Sequence, residues 1–352
     1  MNFLVFGAGA IGTYIGGSLA LEGHRVVFIE QAGIARELRA RGLRLDLILD
    51  GRRRPRSRFS LKREQFSIDF TPSLKEGLAQ APFDAALFAL KSFDTAAALE
   101  TMAPFAGKMP PVLCLQNGVD NEDALASVLG ADKVLHGTVT SSIGRRAAGD
   151  IVLERLRGIG VAAGHPLASR LVEVFNAALL NARLFPRPAD MKWSKMLTNL
   201  IGNASAAILD MTPAEVFNHP GLCQLEMQML RETLRVMQAQ RIRVVDLPGT
   251  PVRLLALGAR LPVSLARPLL VKTIGGARGK KMPSFHIDLH AGGGRSEVEW
   301  LNGAVVRAGE RLGIPTPVNH LLTGTLCRLV SREIPLSEFQ RQPERLLSVA
   351  YK

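Results

Sequence analysis

Cysteine is scarce, with only Cys114, Cys223 and Cys327 in 352 residues. The three are odd in number, far apart and set within apolar runs. That argues against a disulfide framework or a cysteine-based zinc site and suits reduced thiols in the core of a cytoplasmic protein. Aromatic residues are few, 5% of the chain with two Trp and two Tyr, so a surface for stacking nucleic-acid bases is poorly supplied. No apolar run reaches the length of a membrane span. The apolar N-terminus lacks a basic leader and a small-residue cleavage site. It is also interrupted by Gly7, Gly9, Gly12, Gly16 and Gly17, so it reads as a strand and a helix rather than a signal peptide. Negative charge is short as well: 31 Asp and Glu stand against 44 Lys and Arg, for a formal net charge of +13. Such an excess suits nucleic acid, an anionic membrane surface or anionic small ligands, and does not choose among them.

What is present is an ordinary globular composition, at a length that suits two domains rather than one core. Residues 2–6 form a short apolar run, followed by a glycine-rich turn, a small-residue helical stretch to about Glu22, the turn Gly23-His24 and a second apolar run over 25–29. This is a β-turn-α-β unit. Further strands are expected at 84–90 and 111–115, each followed by a helical pattern, and alternation of this kind implies a parallel sheet. Residues 138–163 look β-rich. The segment 43–70 carries Arg52, Arg53, Arg54, Arg56 and Arg58 around Pro55 and reads as a solvated hairpin or loop excursion. From Pro186 long helical patterns take over. The expectation is an α/β Rossmann-like dinucleotide-binding domain over 1–185 and an all-α domain over 186–352. The stretch 241–281, rich in Pro, Gly and Arg, reads as connecting helices.

Gly7-Ala8-Gly9-Ala10-Ile11-Gly12 is a G-x-G-x-x-G sequence between a strand and a helix, with a second strand at the right distance. In that context it is a strong dinucleotide signal. Gly7 permits the tight turn, Gly9 lets backbone amides approach a pyrophosphate, and Gly12 lets helix and strand pack closely. The helix N-terminus adds partial positive charge for the phosphates. Glu30 ends the second strand and Gln31 follows it. A carboxylate there can accept from a ribose 2′-OH and repels a 2′-phosphate, which favours NAD. Lys91, Arg36 and the overall positive charge pull the other way.

The segment Met191–Asn203 carries a second cluster. Read as one helix, it places Lys195, Asn199 and Asn203 at i, i+4 and i+8 on a single face, with Lys192 one turn earlier and slightly to the side. A polar stripe on an otherwise apolar helix needs partners or a ligand. An interdomain hydrogen-bond network is the bland alternative.

With these residues in view, the chain resembles the ketopantoate reductase, or 2-dehydropantoate 2-reductase, family over nearly its whole length. The resemblance rests on the Gly7–Gly12 loop, Leu90-Lys91, Gln116-Asn117-Gly118, the Lys195, Asn199 and Asn203 spacing, and Ser284 followed by Ser296 to Gly303, in the family's order. It implies reduction of 2-dehydropantoate to (R)-pantoate, in pantothenate and coenzyme A biosynthesis, with Lys195 as the general acid. A partly apolar cleft would favour proton donation by that lysine near neutral pH. By the same resemblance Asn199 and Asn203 bind the substrate, Ser284 meets its carboxylate, Glu297 orients its hydroxyl and balances Lys195, Asn117 lies between cofactor and substrate, and Lys91 serves the cofactor. The cofactor implied is NADP(H). The family often has Arg where this chain has Gln31, so NAD(H) stays open. The chain is longer than compact members, with the surplus expected within 43–70 and 241–281.

Ser296 and Glu299 match an S-x-x-E capping box, which would account for Glu299 and leave Glu297 as the functional carboxylate. His286, Asp288 and His290 alternate as on one face of a strand, but no fourth ligand is evident and no metal is expected. The expected partner is a small anionic 2-keto acid. A homodimer is left open, and neither nucleic acid nor a membrane is expected. The competing readings are a reductase of another small branched 2-keto acid, a non-catalytic dinucleotide-binding protein on the same scaffold, and a basic nucleic-acid binder.

Overall fold

The computed structural model describes residues 1–271, 281–290, 292 and 294–351. Twelve strands occur among them. They are β1 (Asn2–Phe6), β2 (Arg25–Ile29), β3 (Leu43–Asp46), β4 (Arg58–Leu61), β5 (Ile68–Thr71), β6 (Ala85–Phe88), β7 (Val112–Cys114), β8 (Val134–Val139), β9 (Ser142–Ala147), β10 (Asp150–Arg155), β11 (Ile159–Ala162) and β12 (Ala182–Phe185). The chain forms two compact units. The first comprises Met1–Gln116, Asp120–Lys192 and Leu247–Thr250, and the second Asn117–Val119, Trp193–Asp246 and Pro251–Lys352.

The first unit holds an eight-stranded sheet in the order β12-β11-β8-β7-β6-β1-β2-β5. All its pairings are parallel except that of β11 with β8. β1 explains why the sheet is buried on both faces. Phe3 and Val5 enter one apolar cluster with Tyr14, Ile15 and Phe28, while Leu4 and Phe6 enter another with Val27, Phe88 and Val112. A strand covered on both sides reads as an unbroken apolar run, as this one does. The chain steps from β1 outward to β2 on one side and later places β6 on the other. The carboxyl ends of β1 and β6 therefore flank the point where strand order reverses, the usual ligand crevice of such sheets.

A second sheet, β4-β3-β10-β9, lies in the same unit. Its hairpin β3–β4 comes from the arginine-rich stretch, which is more ordered than a solvated excursion. Arg53 is buried and donates to the Ala178 carbonyl at 2.6 Å, while Arg52 reaches the Leu179 carbonyl at 2.5 Å. Asp50, also buried, pairs with Arg52 at 2.7 Å and with Arg53 at 3.3 Å. Asp50 and Arg53 thus anchor chain from buried positions, while Arg52 joins them from the surface.

The second unit is helical throughout its described regular structure. Its longest helix, Pro220–Ala239, buries Glu226 and Glu232 among apolar side chains. Glu232 accepts from the Val318 and Asn319 amides at 3.1 and 3.0 Å and so caps the helix Pro317–Val330. Within the poorly legible stretch, helices cover Val252–Arg260 and Val263–Leu270; residues 272–280 lie outside the described residues. No helix among the described residues is long and apolar enough to cross a membrane.

Candidate active site

The glycine loop leaves the carboxyl end of β1 and enters the helix Ala10–Leu21. Gly7 sits at φ +92°, where a side chain is strained. A Cβ on Gly12 would fall 1.9 Å from the Gly7 carbonyl oxygen, so Gly12 is required by the approach of the helix to the strand. Gly9 differs: a Cβ there would meet nothing within 4 Å. Protein packing does not explain that glycine, and the space beside it leaves room for a ligand. Gly9 is also the N-cap of the helix, and no side chain caps it. Open space against uncapped amides fits a pyrophosphate.

Ala8 holds the loop in place. Its carbonyl accepts from the Thr13 hydroxyl at 3.0 Å and from the Gly149 amide at 2.8 Å. Its amide donates to Glu30 Oε1 at 2.5 Å, and Glu30 Oε2 accepts from the Gln31 amide at 3.2 Å. The Glu30 carboxylate is thus turned onto the loop. Ile11 is half-buried, whereas Gln31 and Arg36 are exposed. Lys91 follows β6 by three residues and is half-buried at the start of the 3-10 turn Ser92–Asp94. Gln116 holds the same region together. Its amide donates to the Leu90 carbonyl at 3.1 Å and the Thr95 hydroxyl at 2.9 Å, while Asn121 donates to Ser92 Oγ at 3.2 Å.

The remaining site residues belong to the second unit. Lys195 and Asn199 lie one turn apart on the helix Pro188–Leu200, and both are half-buried. Asn199 Nδ2 donates to Asn117 Oδ1 at 3.0 Å. The expected continuous helix to Asn203 is interrupted. Ile201 to Asn203 form a turn with Gly202 at φ +60°, and the next helix begins at Ala204. Buried Glu226 accounts for the break, because it accepts the Gly202 amide at 2.7 Å and the Ser205 hydroxyl at 2.5 Å. The side chain of Asn203 is engaged on both sides. Its Nδ2 donates to the Asn199 carbonyl at 3.0 Å and to Ser284 Oγ at 3.3 Å, and its Oδ1 accepts from the Phe285 amide at 3.1 Å. Asn203 therefore gathers Asn199 and Ser284.

Glu297 is buried in the 3-10 turn Glu297–Trp300. The capping box expected there is replaced by a shorter device, in which Ser296 Oγ accepts from the Val298 amide at 3.2 Å and Glu299 stays exposed. A 3-10 turn brings the second amide, not the third, under the cap. Residues 286–290, expected as a strand, belong to the helix Ser284–His290. Phe285 and Leu289, four apart, are the buried pair, while Ile287 is exposed; that is helical periodicity.

Sequence reasoning did not find the partner of Lys192. This lysine is buried in the first unit, 2.7 Å from Glu122 Oε1, and donates to the Gln116 carbonyl at 2.8 Å and the Gly137 carbonyl at 3.3 Å. Burial alone lowers its pKa, but the Glu122 carboxylate outweighs that and holds it above the ordinary lysine value. The only available signal was a charged residue one turn before Lys195 in an apolar segment. The cysteines are free thiols; burial pushes Cys114 and Cys223 up and Cys327 to about 11.

Comparison with known proteins gives a consistent picture. The family model described as ketopantoate reductase PanE/ApbA matches residues 3–163, and the model of the C-terminal part of the same family matches residues 189–329. A 2-dehydropantoate 2-reductase from Halobacterium salinarum is 28% identical over 343 residues, covering 95% of this chain and 100% of the relative. A crystal structure of a PanE/ApbA family ketopantoate reductase from Ralstonia eutropha is similar with a TM-score of 0.75 and 27% identity, over 95% of this chain and 99% of that one. D-mandelate dehydrogenase, solved with NADH and anilino(oxo)acetate, shares the fold with a TM-score of 0.74 at 19% identity, over 94% and 99% of the two chains.

Proposed function

This chain belongs to the ketopantoate reductase family, and on that premise we propose that it reduces 2-dehydropantoate to (R)-pantoate, a step toward pantothenate and coenzyme A. It is an NAD(P)H-dependent oxidoreductase. The observation that carries the specific reading is the polar cluster of the second unit. There Lys195 and Asn199 share a helix face, Asn199 is bonded to Asn117 at 3.0 Å, and Asn203 links the group to Ser284.

When bound, a reduced nicotinamide supplies the hydride that converts the ketone carbon to a carbinol. The ketone oxygen gains negative charge as that carbon is reduced and must take up a proton. Lys195 Nζ donates it, acting as the general acid. Asn199 hydrogen-bonds the substrate and is oriented for this by Asn117. Ser284 meets the substrate carboxylate. Asn203, whose amide is committed to Ser284, Phe285 and Asn199, serves as the positioning residue between them. Glu297 orients the substrate hydroxyl and balances the charge of Lys195. In the first unit Gly9 and the helix behind it receive the pyrophosphate, Lys91 meets the dinucleotide, and Glu30 faces the ribose. The boundary between a dinucleotide-binding half and a substrate half is placed in this reading near residues 185–193.

The position of Glu30 against the loop supports use of NADH beside NADPH, because a carboxylate there accepts from a free 2′-OH. Cofactor choice is relaxed, with a lean to NADPH. The decisive experiment is a steady-state panel of 2-keto acids, including 2-dehydropantoate and its nearest branched analogues, assayed with each cofactor. The highest kcat/KM for 2-dehydropantoate supports the proposal. A higher value for another branched 2-keto acid replaces the substrate, and no turnover of any overturns the catalytic reading.

A further inference from the structure

Asp210, His286 and His290 are brought together in the second unit, with His286 two residues beyond Ser284 on the same helix. Asp210 ends the helix Ala204–Leu209 in a left-handed conformation, φ 50° and ψ 47°. That geometry is open to Asp and Asn at little cost. Its Oδ1 lies 2.8 Å from His286 Nε2, and its Oδ2 accepts from Gln340 Nε2 at 2.9 Å. His290 follows His286 by one helical turn, with ring centroids 4.1 Å apart and planes inclined at 34°. One ligand atom from each of the three residues falls within 4.8 Å of the others.

We propose that Asp210, His286 and His290 form a binding site for a divalent cation of the zinc class. The donor set is chemically apt, because two imidazoles and one carboxylate suit Zn2+, Co2+ or Fe2+ and not the all-oxygen shells of Ca2+ or Mg2+. Two histidines four apart on a helix present their rings to one point, the arrangement used by helical zinc sites. With metal–ligand bonds of about 2.0–2.1 Å, tetrahedral ligands stand about 3.3 Å apart. The Asp210–His286 pair is already that close. His290 is exposed, so its ring is free to rotate inward by the remaining distance. On binding, the cation displaces the proton shared between Asp210 and His286, which leaves to solvent. Three protein ligands leave a fourth position for water or an external ligand. Without metal, the same three residues would form only a hydrogen-bonded clamp between the helix Ser284–His290 and Asp210, and that is the reading to be excluded.

The test uses the full-length protein, stripped with chelator and titrated with Co2+ alone while its visible ligand-field absorption is followed. Saturation at roughly one Co2+ per chain, with displacement of the band by Zn2+, is expected for a three-ligand site. Loss of a second-sphere partner costs about 10–100-fold in metal affinity, so loss of a ligand in His290→Ala is expected to cost at least about a hundredfold. Asp210→Asn, which keeps the left-handed backbone, provides a second variant with the same expected loss should the first fail to fold. His219→Ala removes a histidine paired to a different carboxylate, Glu344 at 3.2 Å, and is expected to bind Co2+ as the parent does. Absence of a saturable band, failure of Zn2+ to displace it, or equal binding by parent, His290→Ala and Asp210→Asn overturns the proposal.

Discussion

Lys192 Nζ lies 2.7 Å from Glu122 Oε1, and both side chains are buried. The pair ties the helix Pro188–Leu200 to the first turn of the helix Asn121–Leu129 within the first unit. Lys192→Ala is expected to destabilise the protein by about 3–5 kcal/mol, because it strands a buried carboxylate. Lys192→Met combined with Glu122→Gln should recover much of that loss, since an uncharged pair carries no desolvation debt. Denaturant unfolding of Lys192→Met, of Glu122→Gln and of the double variant measures the coupling. Additive losses would show that the two charges do not depend on each other.

Lys195→Ala is expected to lower kcat by about two to four orders of magnitude, the range for a lost general acid. Dinucleotide affinity should change little. Fluorescence titration of the cofactor beside steady-state kinetics separates the two effects. A variant keeping most of its kcat removes Lys195 from the proton-donating role.

The loop glycines should fail in different ways. Gly9→Val meets open space in the protein, so its melting temperature should stay near the parent's while dinucleotide binding falls sharply. Gly12→Ala sets a methyl group 1.9 Å from the Gly7 carbonyl oxygen and should destabilise the fold itself by about 1–3 kcal/mol, as overpacking does. Cofactor titration and thermal unfolding of both variants distinguish a ligand-facing glycine from a packing one. Equal loss of stability in the two would mean that Gly9 is also a packing position.

Glu30→Gln combined with Gln31→Arg should move the kcat/KM ratio toward NADPH by roughly tenfold, since about 1.4 kcal/mol is one decade. Glu30→Gln keeps an oxygen for the Ala8 amide and should leave the loop in place. Glu30→Ala removes that acceptor and should weaken both cofactors together. An unchanged ratio in the double variant means that these side chains do not face the ribose.

Asp50 provides a pH signature. Burial alone raises its pKa, but hydrogen bonds from Arg52 and the charge of Arg53 hold it below the ordinary carboxylate value. Its stabilisation is therefore fully present above the unfolded pKa of about 3.9 and is lost as pH falls through the lower folded value. Asp50→Asn should be less stable than the parent at neutral pH, and the difference should shrink on acidification below about pH 4. A stability gap constant from neutral to acid pH would show that Asp50 acts through shape and not through charge.

Strands β1 and β2 were legible to the residue, as was the glycine loop between them. Their signals are local: apolar runs that a doubly covered sheet requires, and glycines that a tight turn requires. The helix carrying Lys195 and Asn199 was legible for the same reason. Its end was not. Gly202 leaves the helix because Glu226, 24 positions later in the chain, takes its amide, and no local pattern carries a bond of that span. Lys192 was visible as a charge in an apolar segment, but its partner Glu122 lies 70 positions earlier. His286 and His290 alternate as they would on a strand; only the core pairing of Phe285 with Leu289 turns that alternation into a helical face opposite Asp210. Sequence by itself determined which segments are apolar, where the backbone turns and which polar residues are out of place. The tertiary structure alone decided what those polar residues meet, because buried polar groups must find partners and the nearest ones are distant in the chain.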